Sequence, residues 1–118
     1  VDFFHRIGYK TPWIGYYAIV DEQLVGMGAF KGPPKEGQVE IAYGTVERFR
    51  GKGHGGSICK KLVEIAQNTD AEIDVRARTL PESNHSTRIL EKNQFTFLGT
   101  VNDPEDGDVW EWRFEKNQ

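Results

Sequence analysis

The chain has a single cysteine, Cys59, which excludes a disulfide framework and fits a reducing cytoplasm. It has no excess of positive charge. The formal net charge is −3, whereas a protein that grips nucleic acid or an anionic membrane surface is normally basic, so neither partner is expected. No apolar run approaches the roughly twenty residues of a membrane span. The opening "VDFFHRIGYK" lacks the apolar stretch of a secretory leader. The three histidines, His5, His54 and His85, fall at no metal-ligand spacing, so no metal site is expected. Internal repeats, linkers and low-complexity segments are also missing. What is there amounts to one small domain, residues 1–118, whose 37% hydrophobic and 12% aromatic content suffices for a single core. The sequence starts at Val1 and not at a methionine, so an N-terminal segment is expected to precede it.

Hydrophobic periodicity divides the chain. "WIGYYAIV" from Trp13 and "LVGMGAF" from Leu24 read as two strands joined by the polar turn "DEQ". "KGPPKEG" is a loop by its prolines and glycines, and "QVEIAYGTV" from Gln38 is a third strand, with Val39, Ile41 and Tyr43 on one face and Glu40 and Ala42 on the other. The period then changes. Ile58, Leu62, Ile65 and Ala66 recur at helical spacing, which predicts a helix to about Asn68. "AEIDVRAR" is the next strand, parallel to the one before the helix because the chain crosses back over the sheet. "LPESNHSTRILEKN" predicts a short helix behind the cap-type residues Ser83 and Asn84. "QFTFLGTV" and "DVWEWRF" close the chain as a hairpin around "NDPEDG", with Trp110 and Trp112 sharing a face. The order is β-β-β-α-β-α-β-β, an α/β domain on a mixed sheet.

Between the third strand and the first helix lies "VERFRGKGHGGSICKK", with four glycines among residues 51–56. Gly51, Gly53 and Gly56 fit G-x-G-x-x-G, the dinucleotide fingerprint, but the context does not. Val46 to Arg50 separate strand from glycines, Arg76 and Arg78 stand where that fingerprint wants an acid, and an antiparallel meander comes first. Arg50, Gly53 and Gly55 also fit R-x-x-G-x-G. Glycines let backbone N–H groups approach an anion, a helix N-terminus favours phosphate, and Arg50 and Lys52 add charge beside it. The competing explanation is a glycine turn that only permits close helix–sheet packing.

"TVERFRGKGHGGS" followed by an amphipathic helix resembles the pyrophosphate-binding motif of the GNAT superfamily of N-acetyltransferases. "LPESNHSTRILEKNQF" and "VNDPEDGDVWEWR" resemble the second cofactor-side helix and the closing hairpin of its ribosomal-protein N-acetyltransferase branch. The likeness runs from about Trp13 to Phe114. It implies a mixed, mostly antiparallel sheet with a central splayed parallel pair, and transfer of an acetyl group from acetyl-CoA to an amine by direct attack in a ternary complex. The amine acceptor is a protein N-terminus or a small molecule. The alternative is a non-catalytic acyl-CoA-binding or regulatory domain. The resemblance places Tyr43, Gly44 and Thr45 along the pantetheine arm, Arg50, Gly51, Lys52, Gly53, His54, Gly55 and Gly56 around the pyrophosphate, and Asn84 near the pantetheine, although Asn84 also reads as a plain helix cap.

Acetyl transfer needs a base for the amine, donors for the developing oxyanion and accommodation of the thiolate. Glu40, mid-strand among apolar residues and at a position where the family often has a glutamate, is the candidate base, or else an exposed carboxylate on a solvated face. Ser86 is the candidate partner of the thiolate, or an ordinary polar residue in the first helical turn. Leu90 takes the position where many family members carry a tyrosine acid. "EKNQF" replaces the usual "EKxGF", with Asn93 expected to tolerate the left-handed backbone that glycine supplies there. Cys59, on the apolar side of the first helix, reads as packing. Exposed edges in so small a sheet also leave room for a homodimer.

Overall fold

The computed structural model describes residues 13–115 and, as backbone only, residues 4–7. The expectation about a segment before Val1 lies outside them. The strands are β1 (Phe4–Ile7), β2 (Gly15–Val20), β3 (Gln23–Phe30), β4 (Gln38–Thr45), β5 (Asp74–Thr79), β6 (Phe95–Asp103) and β7 (Gly107–Phe114). The helices are α1 (His54–Thr69) and α2 (His85–Lys92), with one turn of 3-10 helix over Glu47–Phe49. All seven strands form one sheet in the order β1-β2-β3-β4-β5-β7-β6. Every neighbouring pair is antiparallel except β4 and β5, which the α1 crossover makes parallel. The mixed sheet, its central parallel pair and both helices agree with the sequence reading, and β1 lengthens the expected meander by one strand.

Local chemistry explains the turns. Asp21 and Glu22 both take positive φ, 50° and 67°, the geometry of a two-residue hairpin turn whose twist matches its strands. In α2, Asn84 caps the helix by accepting from the Thr87 N–H at 3.1 Å, while Thr87 Oγ1 accepts the Asn84 N–H at 2.9 Å. The end of α2 differs from expectation. Asn93 keeps a negative φ of −96°, and the left-handed residue is Gln94, at φ 69°. Asn93 is held because its amide donates to Ile89 O at 3.0 Å and to Gly56 O at 3.3 Å, which ties the end of α2 to the start of α1.

Both helices pack on one face of the sheet. Ile58, Leu62 and Ala66 of α1 are fully buried against Ile41 of β4 and Val75 of β5. Gly26 and Gly28 of β3 let α1 lie directly on the strand, since a Cβ there would fall 2.7 and 2.8 Å from Ile58. The opposite face carries an ion ladder. Glu111 accepts from Arg76 at 2.8 Å and from Arg78 at 3.0 Å, Arg76 also binds Asp74 at 2.9 Å, and Arg78 binds Asp103 at 2.9 Å. Among the described residues no helix is long and apolar enough to cross a membrane.

Candidate functional site

The site starts where two strands part. β4 and β5 stay in register from Gln38↔Asp74 to Ile41↔Ala77, yet β4 runs on to Thr45 and β5 to Thr79. On its other edge β4 remains bonded to β3. Lys31 N–H donates to Glu40 O and Val46 N–H to Val25 O, both at 2.8 Å, which turns the backbone groups of even-numbered β4 residues toward β3. The N–H and C=O groups of Tyr43 and Thr45 therefore face the gap with no strand opposite them. Gly44 contributes surface there, while its own polar groups are spent on β3.

The glycine loop continues this gap. Gly51 and Gly53 adopt φ of 81° and 83°, open to glycine and costly for other residues, and Gly53 is the N-cap of α1. Ser57 N–H, bonded to Gly53 O at 3.1 Å, is the first amide of α1 with an intrahelical partner. The amides of His54, Gly55 and Gly56 ahead of it are left open by helix geometry. Gly55 has a packing reason as well: a Cβ there would sit 2.7 Å from Ile89 Cδ1 and 3.3 Å from Thr45 Oγ1. The His54 ring stands edge-on to Phe49, centroids 6.2 Å apart, and Arg48 lies over the other ring at 5.0 Å.

Tyr43, Gly44, Thr45, Arg50, Gly51, Asn84 and Ser86 surround one groove of about 660 Å³. Arg50, Gly51, Gly53, His54, Gly55 and Gly56 border an adjoining hollow of about 340 Å³. Lys52 borders neither and is exposed. The hollow also contains His85, Arg88 and Lys92 of α2, which the sequence reading missed. Their signal was present: at spacings of three and four they share one face of α2. Among the described residues, Arg50, Arg88 and Lys92 have no ion-pair partner, so three uncompensated cations and a helix N-terminus meet in one hollow. Positive potential is therefore concentrated in this hollow, which favours an anion.

Asn84 Oδ1 is committed to the cap, so only its amino group is available to the groove. Ser86 sits in the first turn of α2, and its carbonyl oxygen accepts from the Tyr43 hydroxyl at 3.2 Å. Leu90, one turn on, is fully buried in the wall of a cavity of about 250 Å³ between the parted strands. Burial, and next to it the Cys59 thiol, push the Tyr43 phenol well above its ordinary range. Burial alone pushes Cys59 up to about 12, so at neutral pH it is a packed thiol. Glu40 lies apart, on the ion-ladder face. Its carboxylate is 3.1 Å from Lys31 Nζ, in a groove with Arg76, Arg78 and Glu111, so its neighbours are charged where the sequence suggested apolar ones. Arg78 borders both that groove and the cavity between the strands.

An acetyltransferase (GNAT) domain model matches residues 2–96. No curated protein matches the chain. Solved structures share the fold. The aminoglycoside acetyltransferase AAC(6')-Ib in complex with coenzyme A superposes with a TM-score of 0.71 at 22% identity, covering 84% of this chain and 64% of that one. RimL, the ribosomal L7/L12 α-N-protein acetyltransferase in complex with coenzyme A, gives 0.72 at 19% identity over 84% and 59%. A Bacillus subtilis acetyltransferase in complex with CoA gives 0.71 at 19% identity over 87% and 76%. The chain thus spans less than two thirds of the length of the first two.

Proposed function

Because this chain belongs to the acetyltransferase (GNAT) domain family, we propose that it acts, as one domain, in moving an acetyl group from acetyl-CoA to an amine by direct attack in a ternary complex. The observation that carries this reading is the continuity of the two halves of the site. Unpaired β4 backbone at Tyr43 and Thr45 leads directly into the hollow where the α1 N-terminus meets Arg50, Arg88 and Lys92. A long ligand with an amide-bearing arm and a phosphorylated end fits that pairing, and a free phosphate would use only half of it. Acetyl-CoA supplies the activated thioester. Tyr43 and Thr45 hold the arm by β-like hydrogen bonds, the loop amides and the three cations hold the phosphates, and Gly51, Gly53 and Asn84 complete the surface. Lys52 adds positive charge from outside the hollow. The lone buried thiol of Cys59 fits a cytoplasmic location.

The amine reaches the thioester from the face opposite the helices. There a shallow groove of about 420 Å³, formed by residues 26–29 and 42–45, shares Tyr43, Gly44 and Thr45 with the cofactor groove. Glu40, on the same face, is the base that takes the ammonium proton, directly or through water, with Lys31 setting its orientation. The groove contains no charged side chain, and the carboxylates of the neighbouring ladder are already paired. That supports an acceptor with a single ammonium and an apolar neighbour, such as a protein N-terminus, over a polycation.

The test is CoA release from acetyl-CoA across a panel of N-terminal peptides, monoamines and polycationic amines. Turnover with the first two, lost by about 10²–10⁴-fold in Glu40→Gln, supports the reading. A protein that binds CoA but releases none with any amine would instead be an acyl-CoA-binding module.

A further inference from the structure

We propose that the Tyr43 hydroxyl, brought up from β4, donates the hydrogen bond that receives the CoA sulfur as it departs, beside the position where α2 carries Leu90. This rests on the reading of the groove as a CoA site. Tyr43, Ser86 and Leu90 border the same cavity between the parted strands. Leu90 is fully buried there and carries no proton to share. Tyr43 lines the cavity from β4, and its hydroxyl reaches the Ser86 carbonyl oxygen.

That contact is built to be exchanged. At 3.2 Å it is long for an O–H···O bond, whose usual length is about 2.7–2.8 Å, and its acceptor is neutral. The Ser86 carbonyl also accepts the Leu90 amide in the regular bonding of α2, so it is not orphaned when the phenol turns away. An anionic sulfur offers a charge-assisted bond roughly twice as strong. In the transfer, the amine nitrogen forms the new bond to the acetyl carbon and the carbon–sulfur bond breaks, its electron pair leaving on sulfur. The ammonium proton goes to Glu40 or water, and sulfur later takes a proton from solvent. The phenol keeps its own proton throughout, because burial holds it above its ordinary range. The ionisable groups around it are Cys59 from α1, Arg78 from β5, and Arg50 and His85 at the mouth of the groove. Cys59 stays protonated below about pH 12, and Arg78 is held charged, with Glu111 and Asp103 outweighing its burial.

The experiment binds CoA to wild type, Tyr43→Phe and Ser86→Ala and follows the ultraviolet absorbance of the thiolate against pH. Loss of a hydrogen bond to a charged group is expected to raise the bound thiol's pKa in Tyr43→Phe by about one unit, a tenfold change. Fluorotyrosine at position 43 keeps the shape and strengthens the donor, so it should lower the thiol pKa and decides the matter if Tyr43→Phe fails to fold. A thiol titration unmoved by either change overturns the inference, as does a shift confined to Ser86→Ala. Absence of CoA binding to wild type overturns the reading of the groove itself, and the inference with it.

Discussion

Gly53 and Gly55 stand two apart in the loop and are glycine for different physical reasons. Gly53 needs a φ of 83° with open space around it, whereas Gly55 sits under Ile89. Gly53→Ala is expected to cost about 1–2 kcal/mol in backbone strain. Gly55→Val should cost about 1–3 kcal/mol by overpacking and push α2 away from α1. Urea unfolding checks both, and both should weaken CoA binding. The glycine loop was legible because a flexible run beside Arg50 carries its own chemistry. The share that packing has in Gly55 was not, since a missing Cβ does not reveal which distant residue requires its absence. Cys59 yields a pH test. Its thiol is raised from an ordinary 9.0 to about 12, so below pH 9 it is protonated whether folded or not and contributes nothing to the pH dependence. Above pH 9 the unfolded thiol ionises while the folded one does not. Stability should then fall by up to about 1.4 kcal/mol per pH unit toward pH 12, with Tyr43 adding to the loss above pH 10. Thermal unfolding across that range should show a shallower decline in Cys59→Ala.

Among the elements, α2 is short and depends on its ends. The Asn84–Thr87 capping box fixes its first turn, and the Asn93 amide fastens its last turn to α1. Asn84→Ala should cost about 1 kcal/mol by urea unfolding and loosen Ser86 in the groove. On the far face, Glu111 joins two arginines, so Glu111→Gln should cost about 1.5–3 kcal/mol. The same change should leave the Arg50–Arg88–Lys92 hollow intact, which CoA titration of the variant would confirm. Period-two and helical patterns made most elements readable, including the parallel pair that a crossover helix requires. β1 went unread because only four residues pair with β2, and "FHRI" carries little alternation of its own. The contribution of α2 to the hollow was missed because Arg88 and Lys92 look like any solvated helix face. Only tertiary packing turns that face toward the α1 N-terminus.

For the molecule as a whole, charge and shape divide along the sheet. The helix face gathers uncompensated cations at one end of a gap between parallel strands, while the other face neutralises its own charges in a ladder beside an apolar groove. The net charge of −3 conceals this division. Family and fold were legible because three motifs fell in the right order along one chain. The acceptor was not, because the groove beside the gap, lined by residues such as Gly26, Met27, Ala29 and Ala42, carries no charged side chain that a motif could signal. The most direct test is calorimetric titration of the intact chain with CoA and, side by side, with NADPH. Saturable one-to-one binding of CoA, weakened at least about tenfold in the Arg50→Ala, Arg88→Ala double variant and with no heat from NADPH, is the result expected. CoA failing to bind, binding no better than NADPH, or ignoring the loss of both arginines would contradict the account.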